Sequence, residues 1–134
     1  MPDSSDMVSV RYMVDDVEQA IAFYTKFLGF EVLTSFPPAF ADVARGRLRL
    51  LLSGPLSSAG RSMADGAKPG PGGWNRIHLI VDDIDAEVAR LRDAGAPFRN
   101  DLVEGPGGKQ ILLQDPSGNL IELFQPAPFE PARR

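Results

Sequence analysis

The sequence predicts an α+β fold: two βαβββ repeats forming a curled eight-stranded mixed sheet around a cleft, with the helices outside. Three observations lead there. The stretch Ser9-Val-Arg-Tyr-Met-Val-Asp-Asp-Val-Glu18 is copied by Arg76-Ile-His-Leu-Ile-Val-Asp-Asp-Ile-Asp85, which sets Asp83 67 residues after Asp16 (83 − 16). Self-similarity at a fixed spacing is the mark of a repeated structural unit. Each copy changes from period-two alternation to helical spacing and stops at a glycine, Gly29 or Gly95. Short apolar segments separated by turn formers then follow each helix. A four-stranded sheet with a helix on one face leaves the other face bare. Two such halves, set edge to edge with bare faces inward, enclose a cleft.

In the first repeat (7–53), Val8, Val10, Tyr12 and Val14 alternate with Ser9, Arg11 and Met13, which predicts a strand. Asp16 stands at an N-cap with Gln19 three residues on, a capping-box pattern. Val17, Ala20, Ile21, Tyr24, Phe27 and Leu28 form a stripe at helical spacing, and Gly29 ends it. Phe30 to Thr34 reads as a second strand. Phe36-Pro-Pro-Ala-Phe40 is a stiff turn, because proline restricts the backbone and donates nothing to a ladder. Ala41 to Ala44 and Leu48 to Leu52 read as a hairpin joined through Arg45-Gly46-Arg47. Residues 54–73 are rich in Gly, Pro and Ser and read as a linker, either a floppy crossover or a lid over a ligand.

The second repeat (74–126) copies that order. Trp74 to Val81 is a predicted strand, and Ile84 to Ala94 a helix capped by Asp83. Pro97 to Asn100 leads into a short strand, and Val103 to Gly108 is a turn. Lys109 to Gln114 and Leu120 to Phe124 form the last hairpin, with Asp115-Pro-Ser-Gly-Asn119 as its connection. Residues 1–6 are polar and expected to be loose, and 127–134 an extended tail. Residues 7–126 thus make one domain.

The 134 residues suffice for one core, and 43% hydrophobic with 24% charged content is ordinary for a globular chain. A net charge of −4 argues against nucleic acid or an anionic membrane as partner, since both demand clustered positive charge. The absence of cysteine excludes disulfides, thiolate nucleophiles and Cys-zinc sites. No apolar run approaches the roughly 20 residues that span a membrane. Met1 to Asp6 shows no signal-peptide pattern, so a cytoplasmic location is expected. No nucleophilic triad, phosphate-binding glycine loop or dinucleotide fingerprint is present.

Val14-Asp-Asp-Val-Glu-Gln-Ala-Ile-Ala-Phe-Tyr-Thr-Lys-Phe-Leu-Gly-Phe30 and Asp115-Pro-Ser-Gly-Asn-Leu-Ile-Glu-Leu123 resemble the signatures of the vicinal oxygen chelate superfamily. That group includes glyoxalase I, extradiol dioxygenases, methylmalonyl-CoA epimerase, fosfomycin-modifying enzymes and bleomycin-binding resistance proteins. The resemblance spans residues 7–126 and implies the fold. It does not choose among activities. It also implies four positions, typically His or Glu, that hold a metal in the metal-dependent members. Carried onto this chain they read Ser9, Leu50, Arg76 and Glu122. A divalent ion requires imidazole or anionic oxygen donors, and Arg76 is a permanent cation without a lone pair. No metal or other cofactor is therefore expected. An Arg76–Glu122 pair is expected in its place.

Alternation adds Arg11, Met13, Leu48, Leu52, Gln110, Leu112 and Phe124 to the concave face, with Phe36 and Phe40 flanking the proline turn. His78, the single histidine, reads as a hydrogen-bonded cleft residue or as a general base. Trp74, the single tryptophan, reads as a core or interface residue or as a stacking platform. The expected function is metal-independent binding of a bulky, partly aromatic small molecule by a homodimer. Bleomycin-, mitomycin- or enediyne-type antibiotics are what the resemblance implies as ligands. The alternative is a glyoxalase-like lyase, isomerase or dioxygenase acting through His78 and Glu122.

Overall fold

The computed structural model describes residues 6–128. Residues 1–5 of the polar start and 129–134 of the tail lie outside the described residues. The elements are β1 (Val8–Met13), α1 (Val17–Leu28), β2 (Glu31–Phe36), β3 (Phe40–Arg45), β4 (Leu48–Ser53), β5 (Arg76–Ile80), α2 (Ile84–Asp93), β6 (Val103–Gly105), β7 (Gly108–Gln114) and β8 (Leu120–Pro126). They build two four-stranded mixed sheets, ordered β1-β4-β3-β2 and β5-β8-β7-β6. In each, the first strand pairs in parallel with the last and the other pairings are antiparallel. This is the α+β class of two βαβββ repeats. Two compact units result. One runs through Trp74 and takes in Asp115–Asn119. The other holds Asn75–Gln114 and the chain from Leu120 on.

In the first unit the Asp16 carboxylate accepts from Gln19 N and Gly29 closes α1 in the left-handed region, as the capping pattern requires. The stripe Val17, Ala20, Phe23, Tyr24 and Leu28 is buried. It packs on Tyr12, Ala41, Val43, Leu50 and Leu52, all buried. Parallel pairing sets Val10 beside Leu50 and Tyr12 beside Leu52, so those residues share one face. That corrects the expectation for Leu50, and with it Leu48 and Leu52. They point toward the helix, and Arg49, Leu51 and Ser53 occupy the opposite face beside Ser9, Arg11 and Met13. The cause is a register slip of one residue. The Arg45-Gly46-Arg47 connection is shorter than Asp115–Asn119, and in a period-two strand one residue inverts every side chain.

In the second unit the Asp83 carboxylate caps α2 through Ala86 N. Gln125 Oε1, from β8, accepts from Ile84 N at 2.9 Å. Ile84, Val88 and Leu91 are buried along with Ile77, Leu79, Ile111, Leu113, Ile121 and Leu123. Two expectations are corrected. The short strand lies at Val103–Gly105, inside the expected turn, because it pairs with β7; near Pro97–Asn100 only Phe98 forms a bridge, to Leu113. β5 begins at Arg76, which leaves Trp74 outside the strand in a bend. The 54–73 linker is not featureless, since Ser58–Gly60 forms a 3-10 turn and Met63 N bonds Ala67 O.

The Asp115–Asn119 turn is held in the first unit by a buried carboxylate. Asp115 Oδ1 accepts from Ser117 N and Asn119 N, both at 2.9 Å. Its Oδ2 accepts from the Tyr24 hydroxyl at 2.8 Å and from Asn119 Nδ2 at 3.1 Å. Asn119 Nδ2 also donates to Met13 O, Gly72 N donates to Asn119 Oδ1, and Asp15 N donates to Ser117 Oγ. The turn is thereby tied to α1, to the end of β1 and to the linker.

Burial, then the neighbouring Asp115 carboxylate, pushes the Tyr24 phenol far above its ordinary range. An unfolded tyrosine titrates near pH ~10, so above that pH the unfolded state releases a proton that the folded state keeps. The Tyr24 contribution is complete below that pH and is lost progressively as pH rises above it toward the folded value. Tyr24→Phe is expected to flatten the alkaline fall in stability between about pH 9.5 and 11. At neutral pH it should cost about 1–3 kcal/mol, because Asp115 loses a buried donor. Urea unfolding at several pH values reads both effects. Separately, Leu50→Ala should cost about 2–5 kcal/mol as a core truncation, and Leu51→Ala only about 1 kcal/mol. Equal losses in thermal unfolding would contradict the register.

Candidate functional site

On β5 the alternation buries Ile77 and Leu79 toward α2 and puts Arg76, His78 and Ile80 on the other face. β8 is the neighbouring strand, with His78 beside Glu122 and Ile80 beside Phe124. β7 continues the rows with Leu112 beside Glu122 and Gln110 beside Phe124. Arg76, His78, Leu112, Glu122 and Phe124 are thus brought to one face.

Glu122 is the centre of that face, with its side chain 9% exposed. Its Oε1 accepts from Arg76 Nε at 3.0 Å, and Arg76 NH2 lies 2.9 Å from the same oxygen. Its Oε2 lies 3.3 Å from His78 Nε2. The expected Arg76–Glu122 pair is therefore formed, and His78 completes it as a third member. The His78 ring also packs on Phe124, with centroids 4.8 Å apart. A buried carboxylate needs such partners, and removing one typically leaves an uncompensated charge. The cluster offers a ligand a charged, hydrogen-bonding edge beside the apolar side chains of Leu112, Ile80 and Phe124.

A divalent metal does not suit this donor set. Both Glu122 oxygens face basic side chains, and a guanidinium would repel a cation. Among the described residues no three His, Asp or Glu side chains converge as a metal centre needs. By register the repeat equivalent of Glu122 is Leu51, since Arg11 pairs with Leu51 as His78 pairs with Glu122. Leu51 supplies no donor either.

The equivalent face of the first sheet carries Ser9, Arg11 and Met13 on β1, Arg49, Leu51 and Ser53 on β4, and Phe40 and Asp42 on β3. Phe36 pairs with Phe40 across the proline turn and is exposed. Arg11 NH1 donates to Ser53 Oγ at 2.8 Å, and Arg49 Nε donates to Asp42 Oδ2 at 2.8 Å. Asp42 is buried, yet its Oδ1 has no hydrogen-bond partner among the described residues. Such an orphaned acceptor carries a penalty of about 1–3 kcal/mol. Trp74, in the same unit, is 66% exposed and lies outside the sheet. Sequence reasoning missed Arg49, Leu51, Ser53 and Asp42. The missed signal for the first three was the β1 pattern itself, since a parallel neighbour inherits its in-and-out alternation. Asp42 alone, between Ala41 and Val43, was legible as a polar residue in an apolar strand.

The family model of the Glyoxalase/Bleomycin resistance protein/Dioxygenase superfamily matches residues 6–123, and the chain belongs to that superfamily. Lactoylglutathione lyase of Pseudomonas putida is 27% identical over 142 residues, covering 87% of this chain and 82% of that enzyme. The Mycobacterium bovis protein CFP32 is 26% identical over 117 residues, and this chain spans only 42% of its length. Among solved structures, TnmS3, an antibiotic binding protein from a Streptomyces strain, superposes with a TM-score of 0.69 at 29% identity, covering 90% of this chain and 95% of that one.

Arg76→Leu is expected to destabilise the protein by roughly 1–3 kcal/mol, because Glu122 keeps its burial and loses its main partner. The Arg76→Leu, Glu122→Leu double variant should recover most of that loss. Chemical denaturation of the two variants checks the coupling.

Proposed function

We propose that this protein binds and sequesters a bulky, partly aromatic small molecule of the antibiotic kind without using a metal, and that it works as a homodimer. The observation that carries this reading is the occupied carboxylate of Glu122, held between Arg76 and His78. A carboxylate committed in that way serves as a fixed polar anchor better than as a metal ligand. Leu112, Ile80 and Phe124 beside it supply apolar area against which a flat ring gains on burial. On the first unit, taken by itself, Ser9, Arg11, Phe36 and Phe40 of the sheet, and Trp74 outside it, are separately proposed as ligand contacts. Leu50 is not, given its position toward α1. The likeness to TnmS3 supports a binding role, and sequestration needs affinity alone.

A second reading rests on the His78–Glu122 pair. A carboxylate against Nε2 orients the ring and leaves Nδ1 for proton transfer, as a glyoxalase-like lyase, isomerase or dioxygenase could use. The relationship to lactoylglutathione lyase favours it.

Equilibrium dialysis against bleomycin, mitomycin and enediyne compounds, with the bound fraction analysed by mass spectrometry, separates the readings. The expected result is stoichiometric retention of at least one compound, recovered unchanged and with the same affinity in EDTA. Turnover to product, or binding abolished by EDTA, would overturn the proposal. Sedimentation velocity should find a dimer.

A further inference from the structure

We infer that the first sheet carries its own recognition strip, in which the free oxygen of Asp42 accepts a ligand hydroxyl and the Arg11 guanidinium donates to a ligand carbonyl. The inference deepens the small-molecule reading above and rests on it.

Three strands build the strip. Arg11 on β1 pairs with Leu51 on β4, and Leu51 pairs with Asp42 on β3, so the three share one row of one face. Neighbouring strands lie about 4.8 Å apart, so the backbones of Arg11 and Asp42 are separated by roughly 10 Å. Leu51 lies between them as an apolar floor. In the adjoining row Met13, Ser53 and Phe40 stand side by side.

The polar groups are half satisfied in a complementary way. Arg49 takes Asp42 Oδ2 at 2.8 Å, and none of the described residues takes Oδ1. A buried polar atom is normally paired, so an unpaired one requires an explanation. Arg11 spends one donor on Ser53 Oγ and keeps others. Ser53, whose oxygen accepts from Arg11, retains its own hydroxyl proton for donation. The row therefore offers an acceptor at one end and donors at the other.

Charge selects the donor that Asp42 would take. The Arg49 guanidinium already balances the Asp42 carboxylate through Oδ2, so an ammonium group on Oδ1 would sit beside that cation, where a neutral hydroxyl is not repelled. The span and the apolar floor suit a flat two-ring aromatic, with a hydroxyl at one end and a carbonyl at the other. Because Oδ1 is covered, the hydroxyl reaches it only when a side chain on this face shifts. Arg49, whose side chain is 41% exposed, has room to do so.

The test uses 6-hydroxy-2-acetylnaphthalene and its methyl ether, titrated into the full chain by calorimetry and by probe emission. Wild type should bind the hydroxyl compound about tenfold more tightly than the ether. In Asp42→Asn, Arg49 keeps the amide oxygen and the NH2 group faces the ligand, so the preference should vanish while affinity for the ether is unchanged. Arg11→Met, at an exposed position, should lose about tenfold for the acetyl compound and nothing for 2-naphthol. It decides the issue even if the Asp42 variant does not fold. Equal affinity for the two probes in wild type, as a water resting on Oδ1 would give, overturns the inference. So does a preference that survives in Asp42→Asn, or no binding of either probe. If the antibiotic panel binds while the probes fail, only this strip is wrong. If neither binds, the small-molecule reading falls with it.

Discussion

The structure depends on one buried carboxylate. Asp115 accepts four hydrogen bonds, two from backbone N–H groups of its own turn, one from Asn119 and one from the Tyr24 hydroxyl. Its lone pairs are saturated, which is the condition under which a charge tolerates burial. The same network fixes three chain segments: α1 through Tyr24, the end of β1 through Met13 and the linker through Gly72. It also explains why a turn between two strands of the second sheet belongs to the first compact unit.

Two other buried carboxylates show what happens as that saturation is withdrawn. Glu122 has basic partners on both oxygens, but they are side chains of the same face, with Arg76 and His78 both partly exposed. Its charge is balanced and still within a ligand's reach. Asp42 has one partner, Arg49, and one oxygen left over. A fully bonded carboxylate has no acceptor left, a paired one stands at a charged edge, and a half-paired one keeps a buried acceptor without a partner among the described residues. Both of the latter lie away from the helices, on the faces that the hydrophobic core leaves unused.

Superfamily membership and these faces together narrow the chemistry. The fold is shared with a lyase and with an antibiotic binding protein at nearly the same identity, so the fold does not choose between them. The donor set bears on the metal alone. With arginine at one position and leucine at another, two of the four positions offer a cation no lone pair.

The repeat, both helix N-caps, the order of elements along the chain and the Arg76–Glu122 pair were legible in the sequence. Local rules govern them: alternation, capping residues and glycine stops act within a few residues, and a repeat displays them twice. What escaped was register. Leu50 and Leu51 are equally apolar neighbours, and only the pairing of β4 with β1 decides which one faces the helix. Trp74 lay two residues before β5 began, in a bend outside any strand. Asp42, Asp115 and Tyr24 acquire their roles from partners 7 to 91 residues away. The sequence by itself determined the elements and their repetition, because those follow from neighbours along the chain. Tertiary structure alone decided which carboxylates are satisfied, because hydrogen-bond partners are neighbours in space.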